Sequence, residues 1–174
     1  MPNENSSKPQ IAVIGSGYWG KNLVRNYANL KALKLICDKN EMVLDTFREQ
    51  YQVDTCLALN DVLLRGDITG VVVATPAETH FDIAREALLA GKHVYVEKPL
   101  VLEETEGLEL IRIAHEKKLT LMVGHLLQYH PIFGHLKDLV LAGGAWPHQL
   151  HLFQPLEPGQ NPSRRKHPLV LRPP

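Results

Sequence analysis

The chain has 174 residues, room for one domain and a short extension, and its 19 basic side chains balance 19 acidic ones. Zero net charge argues against nucleic acid or an anionic membrane as the main partner, and no apolar run reaches the ~20 residues that a membrane span needs. The polar start, Met1 to Gln10, has no apolar signal core, so a cytoplasmic protein is expected, with Cys37 and Cys56 as reduced, packed thiols that show no metal spacing.

Along the chain, Ile11-Ala12-Val13-Ile14 is a short all-apolar run before a glycine, which suits a parallel strand buried on both faces. A helix is expected over about 18–30, a strand over 33–37 closed by Asp38, and a helix over 41–51. A brief strand over 53–56 and a short helix over 60–64, N-capped by Asn60, follow. Residues 71–74 form the most β-branched strand, and 79–90 an amphipathic helix stopped by Gly91. Then come a strand over 93–96, a helix over 103–118 with Leu110, Ile111 and Ala114 on one face, a strand over 119–123 and a helix over 131–141. Six strands alternating with helices predict an α/β domain with a doubly wound parallel sheet over 10–143, after a polar extension over 1–9. Past Gly144 the periodicity stops. Seven of the 12 prolines lie in that stretch, with Arg164, Arg165, Lys166 and Arg172 against one acid, Glu157, so 144–174 is expected to be a disordered tail.

Gly15-Ser16-Gly17-Tyr18-Trp19-Gly20 follows the first strand and opens the first helix, the setting in which G-x-G-x-x-G binds a dinucleotide. Gly15 serves the tight turn, Gly17 the approach of the pyrophosphate and Gly20 helix–strand packing, while the helix N-terminus favours phosphate charge. Tyr18 and Trp19 lie inside this candidate cofactor loop. Asp38 ends the second strand, where an acid meets the adenosine ribose hydroxyls, which favours NAD over NADP. Lys39 beside it is a candidate partner for a 2′-phosphate, and capping of the next helix is the alternative role for Asp38.

Two more segments follow strands at the ligand edge: Val73-Ala74-Thr75-Pro76-Ala77-Glu78-Thr79-His80 and Gly91-Lys92-His93-Val94-Tyr95-Val96-Glu97-Lys98-Pro99-Leu100. With the glycine loop they resemble the Gfo/Idh/MocA family of sugar and cyclitol dehydrogenases, over about 10–141. The resemblance implies a Rossmann cofactor domain in which Thr75, Pro76 and His80 line NAD. It places Glu97 and Lys98 near the nicotinamide and its ribose. Lys98 would orient the substrate hydroxyl, aimed inward by a cis Lys98–Pro99 bond. Val123-Gly124-His125-Leu126-Leu127-Gln128-Tyr129-His130-Pro131 resembles the family's crossover to its substrate domain, making His125, Gln128 and Tyr129 candidate cofactor or sugar contacts. The subgroup implied is the nucleotide-sugar 3-dehydrogenase type, with a UDP-N-acetylhexosamine-like substrate. No metal is expected, since His125, His130 and His135 are spaced by five rather than by three or four.

The resemblance implies a C-terminal antiparallel sheet domain that carries most substrate contacts, the usual homo-oligomer interface and a second catalytic group, and these residues are expected to lack it. Codons compatible with 144–174, read one base later, spell a string similar to the family's continuation. The tail is therefore expected to be out of frame, and the chain a truncated dehydrogenase that binds cofactor without turnover. The alternative is an NAD(H)-binding module that works without catalysis.

Overall fold

The computed structural model describes residues 8–142, so the tail expected over 144–174 and most of the extension expected over 1–9 lie outside the described residues. Two compact units divide them, one ending at Leu126 and the other beginning at Leu127.

The first unit alternates β1 (Ile11–Ile14), α1 (Gly20–Asn29), β2 (Leu33–Cys37), α2 (Glu41–Tyr51), β3 (Asp54–Cys56) and α3 (Leu59–Leu63). It continues with β4 (Gly70–Val73), α4 (His80–Leu89), β5 (His93–Val96), α5 (Glu104–Lys117) and β6 (Leu121–Val123). All pairings are parallel and the strand order is β3-β2-β1-β4-β5-β6, the doubly wound arrangement expected from the alternation.

Period-two alternation sends each strand's side chains to two apolar layers. Ala12, Ile14, Leu35, Cys37, Val71 and Val73 point to a layer completed by Val62 of α3, Leu88 of α4 and Leu110 of α5. Val13, Ile36 and Val72 point the other way, to Leu23 and Val24 of α1 and Leu44 of α2. Both faces are covered, which is why these strands read as continuous apolar runs. Each fully buried Val or Leu contributes roughly 1.5–3 kcal/mol.

Three local expectations are corrected. Ala58, not Asn60, is the N-cap of α3, and it makes no side-chain cap bond. The helix begins a residue earlier than Asn60, with Leu59 and Leu63 packed on the core beside Val62. On α5 the buried stripe is Gly107, Leu110, Ile113 and Ala114, whereas Ile111 is exposed, because adjacent positions lie ~100° apart on a helix. Thr79, expected as the first residue of a helix over 79–90, instead ends a separate one-turn helix (Ala77–Thr79), and α4 begins at His80.

In the second unit, α6 (Pro131–Leu141) has proline in its first turn, where no N–H is needed, and His130 caps it by accepting from Ile132 N at 3.3 Å through Nδ1. Among the described residues no helix is long and apolar enough to cross a membrane.

Candidate functional site

Hydrogen bonds extend the sheet one rung past its strand ends, and the residues on that rung come from the sequence motifs. Gly15 N donates to Cys37 O at 2.8 Å, Asp38 N to Cys56 O at 3.2 Å and Ala74 N to Ile14 O at 2.8 Å. Glu97 N donates to Val73 O at 2.9 Å and Gly124 N to Val96 O at 2.8 Å. The glycine loop, the acid after β2 and the loops after β4, β5 and β6 therefore start from one row at the carboxyl edge of the sheet. The strand order reverses between β1 and β4 within that row, where open α/β sheets bind ligands.

The glycines have separate roles. Gly15 has φ +84°, and a Cβ there would stand 2.8 Å from the Ala74 carbonyl group. A Cβ on Gly20 would collide with the Gly15 carbonyl oxygen, so the helix start packs directly on the turn. A Cβ on Gly17 meets nothing within 4 Å, which leaves that backbone open to a ligand. The first turn of α1 holds no acid to offset its dipole. Tyr18 is 87% exposed with Lys21 Nζ 5.1 Å above its ring, and Trp19 takes the N-cap position of α1.

Asp38 is tied to this loop. Its Oδ2 accepts from Ser16 N at 2.7 Å and Ser16 Oγ at 2.8 Å, and its Oδ1 from Asn40 N at 3.0 Å. Burial pushes the Asp38 carboxyl up, but the hydrogen bonds from Ser16 and from the backbone of Asn40 and Lys39 outweigh it and hold the group below its ordinary range. Capping of α2 falls instead to Asn40, whose side chain accepts from Met42 N and Val43 N. The sequence reading overlooked Ser16, a buried side chain at the middle of the glycine motif. The sequence offered only a hydroxyl between two glycines; the β1–β2 register is what sets it against Asp38.

The β4 loop braces itself. Thr79 Oγ1 reaches Thr75 Oγ1 and the Pro76 carbonyl, both at 2.7 Å, and Thr79 N donates to the same carbonyl at 2.9 Å. The buried His80 ring stands between two loops, its Nδ1 2.7 Å from Pro99 O and its Nε2 2.8 Å from Thr75 O. Both ring nitrogens thus face the protein's own carbonyls. Pro76 itself is exposed.

After β5, Glu97 is buried and accepts from Tyr95 Oη at 3.1 Å and from Lys98 N at 3.3 Å. Gly124 lies against this pair: a Cβ there would stand 2.5 Å from Tyr95 Oη and 3.0 Å from Glu97 Oε2. The Lys98 side chain is exposed and the Lys98–Pro99 bond is cis. His125 is exposed at the end of β6, while Gln128 and Tyr129 belong to the second unit, where both are exposed. Tyr95 and Gly124 had no role in the sequence reading, because only the β5–β6 pairing brings them together. Lys92, also buried, caps the opposite end of the sheet through Arg65 O at 2.6 Å and Ile68 O at 2.9 Å.

Known proteins are similar to this chain in sequence and fold. A UDP-N-acetylglucosamine 3-dehydrogenase from Acidithiobacillus ferrooxidans is 34% identical over 131 residues, covering 74% of this chain and 41% of that protein. Its solved structure superposes with TM-score 0.70 at 28% identity, over 76% of this chain and 43% of its own. GenD2 from gentamicin A biosynthesis, solved with NAD, gives TM-score 0.72 at 30% identity over 77% of this chain and 39% of its own. KijD10, a 3-ketoreductase from Actinomadura kijaniata solved with NADP and TDP-benzene, gives TM-score 0.73 at 25% identity over 79% and 43%. The chain thus spans about two-fifths of the length of these relatives. Residues 10–125 match the GFO_IDH_MocA model, described as an oxidoreductase family with an NAD-binding Rossmann fold, and the chain belongs to that family.

Proposed function

We propose that this chain carries the cofactor-binding part of an NAD-dependent dehydrogenase acting on a sugar or nucleotide sugar of the UDP-N-acetylhexosamine kind. The observation that carries the reading is the joining of Asp38 to the glycine loop through Ser16, on the same row as the loops after β4, β5 and β6. The residues fit a dinucleotide: an open backbone at Gly17, a helix start without acids, and a charged carboxylate beside them. Gly15, Gly17 and Gly20, flanked by Tyr18 and Trp19, would receive the pyrophosphate, and Asp38 the adenosine ribose hydroxyls. Thr75, Pro76 and Glu97 would border the nicotinamide end, with His80 fixing the loops that hold them. NAD held there would supply the hydride-acceptor chemistry for oxidation of a substrate carbinol. Lys98, exposed beside the buried Glu97, would orient the reacting hydroxyl. His125, exposed at the end of β6, would meet the sugar. Relatives of known substrate support the nucleotide-sugar class, the A. ferrooxidans enzyme most directly.

Calorimetric titration of the 174-residue chain with NAD and with NADP tests the cofactor half. NAD is expected to bind more tightly, because Asp38 repels a 2′-phosphate; no NAD binding, or tighter NADP, overturns it. Saturation-transfer NMR of UDP-N-acetylglucosamine in the presence of NADH tests the substrate half. Signals weakened by Lys98→Ala are expected, and their absence from the unaltered chain counts against that substrate class.

A further inference from the structure

We propose that Cys37 and Cys56 form a two-thiol redox site whose closure to a disulfide loosens the adenosine end of the cofactor site. The inference rests on the cofactor reading only for its second half.

The two residues are register partners at the last rung of β2 and β3. Both side chains belong to the same apolar layer, Cys37 buried within it and Cys56 half-buried against it. Partners on neighbouring strands lie about 4.8 Å apart. That falls inside the roughly 4.4–6.8 Å spanned by Cα pairs in disulfides, but below their usual 5.5–6 Å. The thiols already interact: hydrogen bonding from Cys37 holds the Cys56 thiol below its ordinary range, and the same contact, with burial, pushes Cys37 up. Cys56 Sγ also lies 3.6 Å from the Ala58 carbonyl. Cys56, more accessible and more acidic, is the thiol that an oxidant meets first.

With hydrogen peroxide as oxidant the chemistry balances. The Cys56 thiol gives up its proton, and its sulfur attacks one peroxide oxygen and breaks the O–O bond. The departing hydroxide takes up a proton to become water, leaving a sulfenic acid on Cys56. Cys37 then loses its proton and its sulfur attacks the Cys56 sulfur. The S–S bond forms, the S–O bond breaks and a second water leaves. Two electrons have passed from the thiols to the peroxide.

The next rung transmits the change. Asp38 follows Cys37, and its N–H donates to Cys56 O; Cys37 O in turn accepts from Gly15 N. Widening the β2–β3 spacing toward the usual disulfide value strains the Asp38–Cys56 bond first, and with it the carboxylate held on Ser16. A disulfide strained in this way is readily reduced again.

The test treats the purified chain with a slight excess of hydrogen peroxide, alkylates the remaining thiols and measures the mass, with NAD titrated calorimetrically before and after. Loss of two hydrogens within one chain is expected, together with loss of both thiols and roughly tenfold or more weaker NAD binding, as follows from losing a charge-assisted hydrogen bond. Dithiothreitol should reverse all three. Cys56→Ser, with Cys56→Ala as a second variant, should bind NAD as before and become indifferent to peroxide. Two thiols that persist in the folded chain, or a disulfide found only between chains, overturn the site. A disulfide that leaves NAD affinity unchanged overturns the coupling. Failure of the reduced chain to bind NAD overturns the coupling along with the cofactor reading, while the mass still decides the dithiol.

Discussion

Asp38 is the residue on which the cofactor reading turns, and its environment makes the reading quantitative. It accepts three hydrogen bonds from Ser16 and Asn40, so it is charged and aimed before any ligand arrives. Asp38→Ala is expected to weaken NAD by roughly tenfold or more and to narrow the gap to NADP, as calorimetry with both cofactors would read. Ser16→Ala removes one bond that holds the carboxyl down, so Asp38 should titrate at higher pH, followed by NMR of the carboxyl carbon. Gly20→Ala forces a methyl against the Gly15 carbonyl. It should cost about 1–3 kcal/mol in denaturant unfolding and disturb the loop.

Among the elements, the loops after β4 and β5 are coupled by one ring. His80 bridges Thr75 O and Pro99 O from the first turn of α4. His80→Ala leaves those carbonyls without their partner, which should cost about 1–3 kcal/mol and speed amide exchange over 75–80 and 97–100 together. A uniform speeding across the whole sheet would instead indicate global destabilisation. On α5, Leu110→Ala should cost about 2–5 kcal/mol by opening a cavity. Ile111→Lys should stay within about 0.5 kcal/mol, since that face is exposed. Urea midpoints separate the two.

At the scale of the whole molecule, NAD bound only by the folded state stabilises it by mass action. At about a hundred times its Kd, NAD adds ~2.7 kcal/mol, which corresponds to roughly 5–10 °C in Tm for a chain of this size. NADP at the same concentration should raise Tm less. Acid acts through the same carboxylate. The Asp38 pKa is lower in the folded state, so its stabilising contribution is present above the ordinary carboxylate range and is lost as pH falls through the depressed value. Ser16→Ala should therefore flatten the loss of stability below about pH 4.

The sequence by itself determined the class of fold, the glycine loop and the acid after β2. Strands buried on both faces must be apolar throughout, a tight turn beneath a helix start requires glycine, and these demands are local enough to be written in consecutive residues. Helix faces were less legible: the apolar Ile111 beside Leu110 reads as core until helical geometry sets it about 100° away. Only the tertiary structure decided what depends on strand order and register. It joined Ser16 to Asp38 across 22 positions and His80 to Pro99 across 19. It also set Tyr95 and Glu97 against Gly124, and Cys37 beside Cys56. Each of these pairs is made by parallel crossovers, which bring distant residues to one rung of a sheet without leaving a periodic trace in the chain.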